Sequence, residues 1–222
     1  MVEQHTLNAV EAVETGPAVA APEAVLAFWF GPPAEAWCDA EIVRRQMPLW
    51  FGRSDETDAT IKARFGATVE AAVAGALEAW AETRLGRLAL VLVLDQFTRN
   101  IYRGTAAAFS GDAQARAVVA RAVAEGDFEA ARAIEQVFMA LPWEHHEDLT
   151  SQAQAVAAME AAAAVFAVRT GEAGPFAGFI DYALKHQVVV ARFGRFPHRN
   201  ALLGRESTEE ERAFLLTPGS SF

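Results

Sequence analysis

Between Arg192 and Asn200 the chain reads RFGRFPHRN: three arginines, a histidine and an asparagine set among two phenylalanines, a glycine and a proline. A guanidinium is a planar fork of N–H donors that matches a carboxylate or a phosphate two bonds at a time. Phe193 and Phe196 should bury and draw the forks between them toward a partly dry region. Gly194 lets the backbone turn at a helix end, and Pro197 keeps the helix from resuming. The run predicts a loop that offers Arg192, Arg195, His198, Arg199 and Asn200 to an anionic group.

Three other stretches carry groups able to do chemistry. In LDQFTRN (94–100) Asp95 and Arg99 stand four apart, so on a helix they pair. Asp95 shares a face with Leu88, Val91 and Leu92, which turns its carboxylate inward, and a structural ion pair is its favoured reading. In LPWEHHEDL (141–149) two histidines, His145 and His146, and three carboxylates, Glu144, Glu147 and Asp148, gather behind a proline at a helix start, where the helix dipole alone favours acids. Adjacent histidines do not readily face one ion and the spacing is not H-E-x-x-H, so no metal and no cofactor is expected. His186 lies within an apolar stripe with Phe179, Tyr182, Val190 and Phe193, as a satisfied core histidine or as a working one. QFTRN and RFPHRN echo each other as two helix ends that could meet.

Helices must position all of these, because the chain reads as helix after helix. Pro22 opens one that Gly31 stops, and a second spans Asp39 to Phe51. Ser54 caps a long third one carrying Ile61, Phe65, Val69, Val73, Leu77 and Trp80. Leu88–Leu94 is apolar throughout and fits a buried strand or a helix buried on all sides. With no partner strand in sight it is read as a central helix running through Asp95 and Phe97 toward Gly104. Further helices are expected over about 112–125, 128–141 up to Pro142, 147–170 and 175–193. Ser207 and Glu210 are expected to form a capping box for a last one.

The chain has 222 residues, 52% of them hydrophobic, with 15 Phe and five Trp and a net charge of −10. Such a chain builds one sizeable core, with Trp29, Trp37 and Trp50 either in it or edging a groove. Its acidity disfavours nucleic acid and anionic membrane as partners. Cys38 is its one cysteine, which permits neither a disulfide framework nor a cysteine zinc site and fits the cytoplasm. Residues 1–21 are expected to be a loose tail and 22–222 a single all-α domain of about eight to ten helices. No apolar run reaches the ~18 residues of a membrane span.

Together, VLAFWFG, LDQFTRNIYRGTAAAFSGD, LPWEHHEDLTSQ and HQVVVARFGRFPHRNALLGRESTEEERAFL resemble a bacterial family catalogued as a domain of unknown function. The likeness covers about Pro22 to Phe214. It implies a TPR-like fold, an all-α stack of antiparallel helical hairpins, and a site drawn from Asp95, Arg99, Asn100, His145, Glu147, Asp148, His186, Arg192, Arg195, His198, Arg199 and Asn200. The family pattern has Pro in place of Thr98 and Ser in place of His146, which argues against His146 as an essential ligand. It brings no activity with it.

Three functions are weighed. In the leading one the arginines hold a small anion or a peptide carboxylate, Asn100 and Asn200 orient it, and Asp95 and Glu147 keep the arginines in place. In the second, a hydrolase-type enzyme uses His186 or His198 as acid/base, positioned by Glu147 or Asp148. In the third the network only locks helix ends, and function lies in a protein interface.

Overall fold

The computed structural model describes residues 18–32 and 37–220, so 1–17 of the expected tail lie outside the described residues. The fold is all-α, with no strand among the described residues. α1 (Pro22–Phe30) and α2 (Asp39–Phe51) form where expected, whereas α3 (Asp55–Val73) stops short of Leu77 and Trp80, because the chain turns at Gly75, at φ 77°, into a 3₁₀ segment, Glu78–Glu82. Pro22 supplies the first turn of α1, and the Ser54 hydroxyl accepts from Thr57 N at 3.2 Å to cap α3. α1 and α2 are joined around Trp29, whose carbonyl accepts the Gln46 amide and the Trp50 indole. Trp29 in turn packs against Phe97 at 5.4 Å and Phe138 at 5.5 Å between ring centres. Such aromatic pairs each add about 0.5–1.5 kcal/mol beyond their burial. Trp29 and Trp50 are therefore core, while Trp37 is half-buried.

The ambiguous apolar run is helical. α4 (Arg84–Val91) passes directly into a π-helical turn, Leu92–Phe97, and then into α5 (Thr98–Ile101). Every residue from Gly86 to Thr98 is buried, which is why this helix shows no polar face. α1, α3 and α6 (Asp112–Ala124) close around it. The widened turn is stabilised locally: the Thr98 hydroxyl donates to the Leu94 carbonyl at 2.8 Å and Arg99 to the Asp95 carbonyl at 2.8 Å. Gly111 lies so close to the Leu94 backbone that any side chain there would collide with it.

Helix is interrupted where 128–141 was expected to be continuous. α7 (Asp127–Ala130) ends, Arg132 is extended, and α8 (Ala133–Glu144) starts afresh. α8 then runs through Pro142 instead of stopping before it. Nearly all of its residues are buried, so packing offsets the backbone bond that a mid-helix proline forfeits. The extra turn carries Glu144 and His145 inward.

α9 (Leu149–Thr170) and α10 (Phe176–Phe193) follow, and α8, α9 and α10 pack in succession, as a stack of hairpins requires. By length and apolarity alone α9 could cross a membrane, at a mean hydropathy of 1.2, but its apolarity is largely alanine and one face packs on α8 and α10. Gly194 ends α10 at φ 69°.

Beyond it, Phe196 and a 3₁₀ turn at Pro197–Arg199 lead to α11 (Glu209–Leu215). The capping box of α11 sits one residue later than expected. Thr208 and Glu211 exchange the two bonds, at 3.1 and 2.8 Å, because the Ser207 hydroxyl is taken by Asn200. Glu211 is needed inward, where Arg195 donates to both of its oxygens at 2.6 and 2.8 Å. These bonds, with the Thr208 N–H and Asn200, hold the Glu211 carboxyl down to about 2. A depressed carboxyl stabilises the fold fully above its unfolded value and ceases to do so as pH falls toward its folded one. Arg195→Ala should therefore lower urea stability near neutral pH. The gap to the unsubstituted chain should narrow as pH falls from about 5 toward about 2.

Candidate functional site

The ends of α2 and α8, the π turn and α5, the segment after it as far as Phe109, α10 and the 196–200 loop line an open cavity of about 400 Å³. Asp95 anchors its floor. The carboxylate is fully buried, and it accepts from Gln96 Nε2 at 2.6 Å and from His145 Nδ1 at 2.8 Å, with Arg99 Nη1 at 3.1 Å. Burial alone would raise its pKa, but the charge of Arg99 and the His145 bond overcome that and hold it well below the carboxylate range. The ionised acceptor fixes the His145 tautomer with its proton on Nδ1, which leaves Nε2 with the lone pair. Burial, then the Arg99 charge, lower the pKa of His145. A neutral imidazole so oriented can accept a proton or ligate a metal.

Arg99 is shared, with two further bonds to Asp112 at 2.8 and 3.1 Å. Arg199 is different. It is buried and donates through Nη1 to the His145 carbonyl at 2.8 Å, and its Nε has no hydrogen-bond partner. Its Cζ lies 4.4 Å from the centre of the Phe196 ring and 4.9 Å from that of Phe109, and Arg99 Cζ lies 5.7 Å from the Phe109 centre. Among the described residues no Asp or Glu oxygen lies within 4.0 Å of it. Burial and the neighbouring Arg99 bring its pKa down to about 10, so it is still a cation at neutral pH. The two echoing Arg-Asn segments thus do meet, across the Phe109 ring.

Of the residues read as candidates, Arg99, Asn100, His145, His186, His198 and Arg199 line this cavity, and Asp95 stands behind them. Burial, then His145, lowers His186 to about 3, and burial, then Arg199, lowers His198 to about 4, so both imidazoles are neutral near pH 7. The others are engaged elsewhere. Arg192 pairs with Glu210 on the surface and Arg195 with Glu211, whereas Asn200 bonds Ser207 and Glu211. Glu147 takes both Arg205 nitrogens and the Phe196 N–H, and Asp148 caps α9 through Ser151 N. His146 meets the Ser151 hydroxyl, away from its neighbour's site.

The residue that the sequence places in the 141–149 cluster without marking it as a site residue is Glu144. It lines the cavity, buried, with Oε1 3.3 Å from His186 Nδ1. Burial, then the Asp95 charge, push its carboxyl up to about 8. Its signal was hidden by Pro142, which reads as a helix stop when it is not one. Trp50, Phe51, Phe109 and Tyr182 add aromatic walls that no local motif marks.

The family described as "Bacterial protein of unknown function (DUF924)" matches residues 25–219. A solved structure, that of a protein of unknown function, ATU0120, from Agrobacterium tumefaciens, is 32% identical with a TM-score of 0.69, over 88% of this chain and 96% of that one. No curated protein matches.

Asp95→Ala should strand Arg99 and His145 in the interior. It should cost about 3–5 kcal/mol in urea unfolding, as breaking a buried pair does, while Asp112→Ala, at the more exposed side of Arg99, should cost clearly less.

Proposed function

From a chain that belongs to the DUF924 family of bacterial proteins of unknown function, we propose binding of a small anion, a carboxylate or a phosphate, in the cavity beneath Arg199. The observation that carries this reading is the buried Arg199 guanidinium with no carboxylate on it. Charges taken out of water are paired or they are costly, so a partner is expected from outside the chain. Arg99 stands beside it and adds positive potential, and the Asn100 amide, held by Asp58 at 2.8 Å, lines the same space.

The cavity volume falls in the ~300–1,000 Å³ range of small-ligand pockets. Its aromatic walls suit a ligand with an apolar or planar part beside its anionic head. A peptide C-terminus has that chemistry as well. Arg192 and Arg195 take no part, since both are engaged by glutamates of the C-terminal segment. We infer a cytoplasmic location too, which the exposed, unpaired Cys38 supports.

A thermal-shift panel of inorganic phosphate, phosphomonoesters, small carboxylates and C-terminal peptides tests the reading. At least one should raise the melting temperature, less so at high salt. Arg199→Met should lose that ligand effect. Its own stability should stay within about 1 kcal/mol, because an apolar side chain replaces an uncompensated buried charge. An equal ligand shift in the variant, or no shift across the panel, would remove the proposal.

A further inference from the structure

The deep side of the same cavity brings together one carboxylate and two imidazoles. Glu144 and His145 come from the end of α8 and His186 from the middle of α10. One ligand atom from each lies within 4.8 Å of the others. We propose that Glu144, His145 and His186 bind a divalent first-row transition-metal ion, with Asp95 and the Tyr182 carbonyl orienting the two imidazoles.

Four observations carry this. The donor set is the two-histidine, one-carboxylate combination that suits Zn²⁺ and its neighbours. Each imidazole has the outer hydrogen bond of a ligating histidine. His145 Nδ1 donates to Asp95 at 2.8 Å, and His186 Nδ1 lies 2.9 Å from the Tyr182 carbonyl. His145 would then ligate through Nε2.

The spacing is also close to what an ion needs. Bonds of ~2.1 Å at tetrahedral angles put ligand atoms about 3.4 Å apart.

Finally, the charges leave room for a cation. The charged groups linked to this cluster, through the His145 carbonyl and along the chain Asp95–Arg99–Asp112, are Asp95, Asp112 and Glu144 against Arg99 and Arg199. With Glu144 ionised as a ligand, the carboxylates exceed the guanidiniums by one. Buried charges are paired or coordinate metals, and among the described residues no Lys or Arg nitrogen lies within 4.0 Å of the Glu144 carboxylate, which has His186 beside it.

Three protein ligands leave coordination positions open to the cavity, where an anion under Arg199 would lie close by. The metal site does not rest on that anion. Its test is run without one, so its failure leaves the anion reading untouched.

The full chain, treated with chelator and then titrated with Zn²⁺ by calorimetry, should saturate at one ion. Glu144→Gln and His186→Gln, checked for folding by circular dichroism, should each weaken binding by more than the ~10–100-fold that follows loss of an outer partner. Absence of saturable binding in the unsubstituted chain, or undiminished binding in either folded variant, overturns the proposal. If neither variant folds, pulsed electron paramagnetic resonance of the Cu²⁺-loaded unsubstituted chain decides. Remote-nitrogen couplings from two imidazoles are expected, and their absence overturns it.

Discussion

A single buried negative charge organises the interior. The Asp95 carboxylate sits where no water reaches, and desolvating it is tolerable because Gln96, Arg99 and His145 all turn to it. Two of those groups come from the same helical run and the third from the end of α8. The bonds therefore fix the angle at which α8 meets the central helix. They also fix the His145 ring and hence which of its nitrogens faces outward. Arg99, held between Asp95 and Asp112, is saturated with carboxylate oxygens. Arg199 comes to rest nearby with aromatic rings and a carbonyl in place of a carboxylate.

That asymmetry divides one short segment into two unlike parts. Arg192 and Arg195 lie on the side that meets α11, where Glu210 and Glu211 neutralise them. Past Gly194 and Pro197 the chain turns back, and His198 and Arg199 face the cavity. The first pair holds the C-terminal segment down, while the second lines a chamber. Phe196 separates the two parts: its ring packs with Val189 and Val190 and also lies on Arg199. Helix packing makes the deep side of the chamber stiff, because α8, α9 and α10 pack in succession, and Glu144, His145 and His186 stand on the end of α8 and on α10. Side chains fixed on such elements hold a geometry better than side chains on loops do.

Much of this was legible in the chain itself. Periods of three and four, capping residues and glycine stops placed the helices, since these are local preferences that need nothing from elsewhere. The inward face of Asp95 and the apolar stripe around His186 followed from helical geometry, and both side chains are buried. The gathering of arginines around Phe193 and Phe196 marked the segment that contributes to the cavity. Two local rules misled. Pro142 does not end its helix, and the last cap is Thr208 and not Ser207. In both places burial or a distant hydrogen-bond partner outweighed local preference.

Tertiary structure alone decided which charges are compensated. Arg195 and Arg199 are the same residue type four positions apart. Only the approach of Glu211 to one, and of Phe109 to the other, makes the first a clasp and the second an uncompensated cation. The convergence of Glu144 with His186 is likewise set by how α8 and α10 pack. Sequence spacing determines what shares a helix face. It carries no record of the distance between groups on different helices, and Coulomb energy and ligation depend on that distance.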